Sequence, residues 1–306
     1  MHEPVHERRS SLPRSAVLSC PVMTTPTRPV ALVTGASRGI GRCAAIALAR
    51  AGCDLVITAR TVHEGDGRAE TATGPVALPG SLDSTAQDIT ATGARVCAVA
   101  MDLLDRASVE EVAVAATGAW GRLDIVVNNA IYQGPGPMES LLTLSIEDAE
   151  TTMRADFLHQ LLLIQLVLPT MLAGGGGSVI NMSSGTAHLD PVAPTGKGGW
   201  GIAYAAAKAA LTRIVPILHV EHAGDGIRAF NVDPGFVVNE RMRATAGAGQ
   251  FTDAGFRGVP PEVPGAVVAW LATDAAADQY AGTLVHAQKI CRHLDLVPGW
   301  PPPKEA

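Results

Sequence analysis

Pro29-Val30-Ala31-Leu32-Val33-Thr34-Gly35-Ala36-Ser37-Arg38-Gly39-Ile40-Gly41 is the stretch on which the fold turns. A short apolar run, residues 29–34, leads into three glycines spaced G-x-x-x-G-x-G, and helical periodicity follows over residues 40–51. A second apolar run, residues 54–59, closes on Arg60. Strand, turn, helix and strand in this order form the repeating unit of a parallel sheet. Gly35 permits the tight reversal, Gly39 lets backbone approach a pyrophosphate, and Gly41 allows helix and strand to pack closely. The helix N-terminus then faces the phosphates. A purely structural turn in a chain with 32 glycines is the plainer alternative, and the flanking strand and helix disfavour it. Gly35, Ser37, Arg38, Gly39, Ile40 and Gly41 are therefore candidate cofactor contacts.

The alternation continues outward. Residues 95–101, 123–128, 177–182 and 228–232 read as strands, and residues 107–117, 158–171 and 203–223 as helices. This predicts an α/β fold, a single-domain Rossmann-like doubly wound parallel sheet with helices on both faces. Two stretches rich in Gly, Thr and Pro, residues 61–81 and 186–201, interrupt it and are expected as surface loops. Both leave the carboxyl ends of strands, where ligands bind in open sheets.

Composition narrows the classes further. The 306 residues suggest one catalytic domain over residues 29–290, a disordered N-terminal tail over 1–28 and a C-terminal tail over 291–306. Met23 is an alternative start. Apolar residues at 47% and charged residues at 17% fit a packed globular chain. A net charge of -6 without a long basic run gives no electrostatic reason to expect nucleic acid. The longest greasy stretch, residues 158–172, is broken by His159, Gln160, Gln165 and Pro169, so no membrane-spanning helix is expected. Five scattered cysteines without a C-x-x-C pair imply neither a disulfide framework nor a zinc site, and reduced cytoplasmic thiols fit them. The nine histidines lack metal spacing, so no metal is expected.

Dinucleotide choice turns on the end of the second strand, where an acid would hold a ribose hydroxyl and a base a 2′-phosphate. Ala59-Arg60 stands there. Arg60 with Arg38 can fork a phosphate through charge-assisted hydrogen bonds, which favours NADP(H) over NAD(H). Further along, Tyr204 and Lys208 sit at i and i+4 in Tyr-Ala-Ala-Ala-Lys, so both project from one helix face. With three tyrosines and four lysines, chance gives such a pair roughly 0.04 times. A neighbouring ammonium and an oxidised nicotinamide both favour a phenolate, so Lys208 is expected to tune Tyr204 as a proton donor and acceptor. A serine hydroxyl beside them would hold a substrate oxygen; Ser183 and Ser184 both end the strand at residue 182.

Taken together these residues resemble the short-chain dehydrogenase/reductase family over roughly residues 29–290. The resemblance rests on residues 34–41, Asp102, Asn128-Asn129-Ala130, Ile180-Asn181-Met182-Ser183-Ser184, residues 204–208 and Asn231-Val232-Asp233-Pro234-Gly235. It implies contacts from Asp102 and Leu103 to adenine, Asn129 and Ala130 beside the cofactor, and Pro234, Gly235 and Val237 at the nicotinamide. It selects Ser184 over Ser183. The family asparagine of the fourth helix aligns with Asp156, its glycine after Asn-Asn-Ala with Ile131, and its threonine after Pro-Gly with Asn239. The gap between Ser184 and Tyr204 is longer than usual, and residues 61–81 resemble an insertion of some hydroxysteroid-dehydrogenase-like and branched-alcohol members.

The function implied is hydride transfer between NADP(H) and an alcohol or ketone, by a carbonyl reductase or alcohol dehydrogenase. Ser184, Tyr204, Lys208 and Asp156 form the catalytic set. Ala210, six residues after Tyr204, argues against enoyl reduction. Ile131, Tyr132, Trp200, Phe236 and Met242 suggest an apolar substrate, and the two long helices suggest a homodimer or homotetramer. The alternative is a catalytically quiet NADP(H)-binding module that acts through protein partners.

Overall fold

The computed structural model describes residues 17–18, 28–71, 74–246 and 258–302. Most of the expected tail 1–28, with Met23, lies outside them. The elements in chain order are β1 (Val17–Leu18), β2 (Val30–Thr34), α1 (Gly39–Arg50), β3 (Asp54–Ala59), β4 (Arg68–Ala69) and β5 (Val76–Ala77). There follow α2 (Leu82–Ala91), β6 (Val96–Ala100), α3 (Arg106–Gly118), β7 (Ile125–Asn128), α4 (Ile146–Met153), α5 (His159–Ala173) and β8 (Gly177–Met182). The chain continues through α6 (Ile202–His222), β9 (Ile227–Asp233), α7 (Glu240–Ala246), α8 (Glu262–Thr273), β10 (Leu284–His286) and α9 (Ala287–Leu294).

The main sheet has the order β1-β6-β3-β2-β7-β8-β9-β10. Only β1 runs antiparallel, and the other seven strands are parallel. Every residue of β2 and β3 is buried, which explains why these strands read as unbroken apolar runs. Their side chains alternate between two cores. Ala31, Val33, Leu55 and Ile57 pack in the layer with α1, α2 and α8, and Val30, Leu32 and Val56 in the layer with α3, α5 and α6.

From β2 the chain winds one way, to β3 and β6, and then crosses back to β7 on the other side. Ligands of open α/β sheets bind at the carboxyl ends where this reversal happens. The Thr34 hydroxyl seals the junction, donating to Val127 O at 3.2 Å and accepting from Asn129 N at 2.9 Å and Ala130 N at 3.0 Å. Gly35 has φ +69°, and a Cβ there would come 2.9 Å from Ala130 Cα. A Cβ on Gly41 would come 2.3 Å from Gly35 O, so only glycine lets the helix start this close to the strand.

Several expectations change. The loop 61–81 carries the β4–β5 ribbon and ends in a capping box, with Ser81 and Ser84 exchanging hydrogen bonds at the start of α2. α9 crosses the expected boundary at residue 290, and Leu296, Val297 and Trp300 pack against the core. α4 and α5 form one 28-residue helix, Ile146–Ala173, whose most apolar 18-residue stretch has a mean hydropathy of 1.4. It is long and apolar enough to cross a membrane by length and composition alone, a test that the core helix of a globular protein also passes. Its inner face packs on the sheet through Leu163, Ile164 and Val167. Cys43, Cys53 and Cys291 are free.

Candidate active site and dinucleotide groove

Two cavities meet above the carboxyl ends of the strands. The first is a groove lined by Gly35, Ser37, Arg38, Gly39, Ile40, Arg60, Asp102, Leu103, Asn129 and Ala130, as expected from the sequence. Gly41 lies outside it, beneath the turn. The second, about 670 Å³, is lined by Ser184, Tyr204, Lys208, Pro234, Gly235 and Val237, with Ile131, Tyr132, Trp200, Phe236 and Met242 around them. Ile40, Asn129, Asn239 and Arg241 border both. Asp156 lines neither, being fully buried beneath the second cavity.

The groove fits a dinucleotide. Gly39 has φ +56°, and a Cβ there would stand 3.5 Å from Asn239 Cβ and 3.6 Å from Glu240 Oε2, filling the cradle. Asn129 closes its floor, its Nδ2 donating to Thr34 O at 2.9 Å and Gly35 O at 3.3 Å. Asp102 holds its own turn, accepting from Leu104 N at 2.9 Å.

The two arginines proposed as a fork are not equivalent. Arg38 donates from Nε to Pro79 O at 2.9 Å, and from Nη2 to Gly80 O at 2.8 Å and Thr61 Oγ1 at 3.1 Å. Its guanidinium pins the 61–81 loop, which corrects the picture of a free phosphate ligand. Burial lowers its pKa, opposed by Glu240. Arg60 is exposed on the groove. Arg241, which sequence reasoning missed, donates to Gln133 O at 2.8 Å, and burial followed by Arg60 lowers its pKa. Its only signal is its place a few residues beyond Pro234-Gly235; the return of α7 over the groove is a tertiary event.

In the second cavity, the end of β8 and the first turns of α6 bring Ser184, Tyr204 and Lys208 together. Ser183 Oγ lies 2.6 Å from Thr212 Oγ1 on α6 and is 3% exposed, so its hydroxyl is committed to packing. Ser184 instead lines the cavity beside Tyr204, and its hydroxyl acts to lower the pKa of the phenol. Its Oγ also accepts from Thr186 N at 3.3 Å. Lys208, one helical turn below Tyr204, is 2% exposed and donates from Nζ to Met182 O at 2.8 Å.

Asp156 reaches this cluster through a π-helical turn, Arg154–Leu158, inserted between α4 and α5. Such turns widen a helix by one residue and re-aim the side chains they carry. Asp156 Oδ1 accepts from Tyr132 N at 2.6 Å, and Oδ2 is buried without a partner. Burial raises the Asp156 pKa to about 6, opposed by Lys208 and the Tyr132 amide. Burial lowers that of Lys208, opposed by Asp156.

Tyr204 is buried within reach of two carboxylates. Its pKa is raised, first by burial and then by the carboxylates of Asp156 and Asp233, with the Ser184 hydroxyl acting the other way. Desolvation and two nearby carboxylates favour the neutral phenol over the phenolate.

Fold and site together define a nicotinamide-dinucleotide-binding α/β protein with a Ser, Tyr and Lys cluster at the sheet's switch point. A sequence profile of the short chain dehydrogenase family matches residues 29–250, and the chain belongs to that family. It is 34% identical over 212 residues to a short chain dehydrogenase of Monascus purpureus, a match covering 68% of this chain and 64% of the relative. It is 32% identical over 256 residues to a D-threitol dehydrogenase of Mycolicibacterium smegmatis, covering 81% and 87%. A crystal structure of a 3-oxoacyl-[acyl-carrier protein] reductase from Brucella melitensis in complex with NAD superposes with a TM-score of 0.69 at 27% identity, over 86% of this chain and 96% of that one.

Proposed function

We propose that the protein is an NADP(H)-dependent oxidoreductase acting on an alcohol or ketone, with Tyr204 as general acid and base. The observation that carries this reading is the grouping of Ser184, Tyr204 and Lys208, the last one helical turn below Tyr204, in a cavity continuous with a dinucleotide groove. The bound dinucleotide supplies or accepts the hydride. Tyr204 gives its proton to the carbonyl oxygen during reduction and takes it back during oxidation. Ser184 holds that oxygen and stabilises its developing charge. Lys208 fixes the floor of the site through Met182 O, and Asp156 keeps a carboxylate close enough to act on both Lys208 and Tyr204.

Preference for NADP(H) is supported by Arg60, which stands on the groove where an acid would select NAD(H). The Ile131, Tyr132, Trp200, Phe236 and Met242 rim supports an apolar substrate. Exposed Ile146, Leu158, Leu166, Ile202, Ile217 and Val220 on the long helices support a homodimer or homotetramer. The test is a panel of ketones and alcohols read at the NADPH absorbance band with NADH alongside. Turnover with an apolar ketone, faster with NADPH, is expected. Tight dinucleotide binding without turnover across the panel would support a quiet binding module instead.

A further inference from the structure

We infer that Glu240 is a built-in competitor for the dinucleotide diphosphate, an intramolecular carboxylate held on the glycine turn that the cofactor must displace. Glu240 opens α7, about two hundred residues downstream of the turn. Its Oε1 nevertheless accepts from Gly39 N at 3.3 Å. Gly39 is the first residue of α1, and no side chain of the neighbouring Arg38 caps that helix. The first-turn amides lie at the positive end of a helix dipole, the place an anion occupies, and Gly39 N is given to Glu240.

The second carboxylate oxygen makes the contact unusual. Oε2 is buried and has no hydrogen-bond partner, and it sits 3.6 Å from where a Cβ on Gly39 would be. A buried unpaired carboxylate oxygen costs free energy that one long hydrogen bond does not return. The neighbouring cations are committed elsewhere, Arg38 to Pro79, Gly80 and Thr61, and Arg241 to Gln133. Glu240 is thus held by the field of the turn and by Arg38 rather than by a formed ion pair, an arrangement a doubly charged diphosphate outcompetes.

Displacement has two consequences. The observed affinity for dinucleotide is lowered by the fraction of molecules in which Glu240 covers the turn. Glu240 also begins α7, whose Met242 and Thr245 line the substrate cavity, so any shift of the helix that accompanies displacement is felt there. One helix thus links the cofactor turn to the substrate site.

The test measures binding alone, so it does not depend on turnover. Dissociation constants for NADPH, NADH and adenosine are determined by calorimetry on the full chain and on Glu240→Gln and Glu240→Ala. Removing the competing charge is expected to tighten both dinucleotides by about five-fold, while adenosine, which has no diphosphate, is unchanged. An equal gain for NADPH and NADH keeps this inference separate from cofactor choice, which Arg60 would govern. Unchanged dinucleotide affinity overturns the inference, as does a gain that extends to adenosine. Weaker dinucleotide binding in both variants overturns it too, making Glu240 a support of the turn.

Discussion

The two cavities handle charge in opposite ways. In the dinucleotide groove, guanidinium groups are held by backbone carbonyls, and Glu240 and Glu64 both act on Arg38. Arg38 and Arg241 are engaged before any ligand arrives, and Arg60 stays exposed on the groove. In the catalytic cavity, Asp156, Tyr204 and Lys208 are each driven toward the neutral form by burial, and Asp156 keeps one oxygen unpaired. Apart from Arg60, the binding half is compensated within itself, whereas the chemical half stores unfavourable desolvation for its ligands to relieve. Changes in the groove should therefore act in a graded, ligand-selective way, and changes in the cavity steeply on turnover.

The largest effect is expected at Tyr204. Tyr204→Phe removes the proton carrier and keeps the ring, so kcat should fall by about a thousandfold while NADPH affinity, measured by fluorescence titration, stays within about twofold. A variant that turned over normally would break the contrast at its centre. Next comes Arg60. Arg60→Ser should weaken NADPH by roughly ten- to a hundred-fold through loss of charge-assisted bonds and leave NADH nearly unaltered. Equal losses for both cofactors would mean that Arg60 does not read the 2′-phosphate, and the groove would lose its selective character.

Legibility in the sequence followed the same division. The glycine turn was readable because its constraint is local, as Gly35 and Gly39 need positive φ and Gly41 has no room for a Cβ. Tyr204 and Lys208 were readable because one helix sets their spacing. The position of Arg38 was readable, but its partners were not, since they lie in a loop some forty residues away. Glu240 gave no signal, and Arg241 only its place a few residues beyond Pro234-Gly235, because only the fold brings α7 over the turn. The π-helical turn at Asp156 was equally silent, as a one-residue widening leaves the apolar pattern of a long helix nearly intact. Helix α2 was the avoidable omission, since Ser81 and Ser84 flank its first turn as a cap.

A smaller, pH-dependent effect is expected at Asp156. Its pKa of about 6 lies above the usual carboxylate value, so it is neutral below that point and charged above it. Once charged it opposes ionisation of Tyr204. The rate of alcohol oxidation, which needs the phenolate, should therefore rise toward higher pH in the native protein. Asp156→Asn removes the charge and can still accept from Tyr132 N. Its oxidation profile should move to lower pH and lose any inflection near 6, and an unmoved profile would show that the carboxylate does not reach Tyr204. The same substitution relieves a raised carboxyl pKa, so its gain in stability over the native protein should appear above pH 6 and fade as pH falls through 4.

The smallest effect separates two adjacent serines and sharpens the contrast within the catalytic cavity itself. Ser183 and Ser184 follow the same strand, yet one hydroxyl faces Thr212 at 2.6 Å and the other the Tyr204 phenol. Ser183→Ala should cost about 1 kcal/mol of stability in urea, because Thr212 Oγ1 still donates to Lys208 O at 2.7 Å and is not orphaned. Its kcat should remain within about twofold of native. Ser184→Ala should do the reverse, lowering kcat about a hundredfold with little change in unfolding midpoint, because its hydroxyl serves the reacting oxygen and not the core. If the two variants exchanged these effects, the oxygen-binding role would belong to Ser183, and the place of Ser184 beside Tyr204 would be only a packing contact.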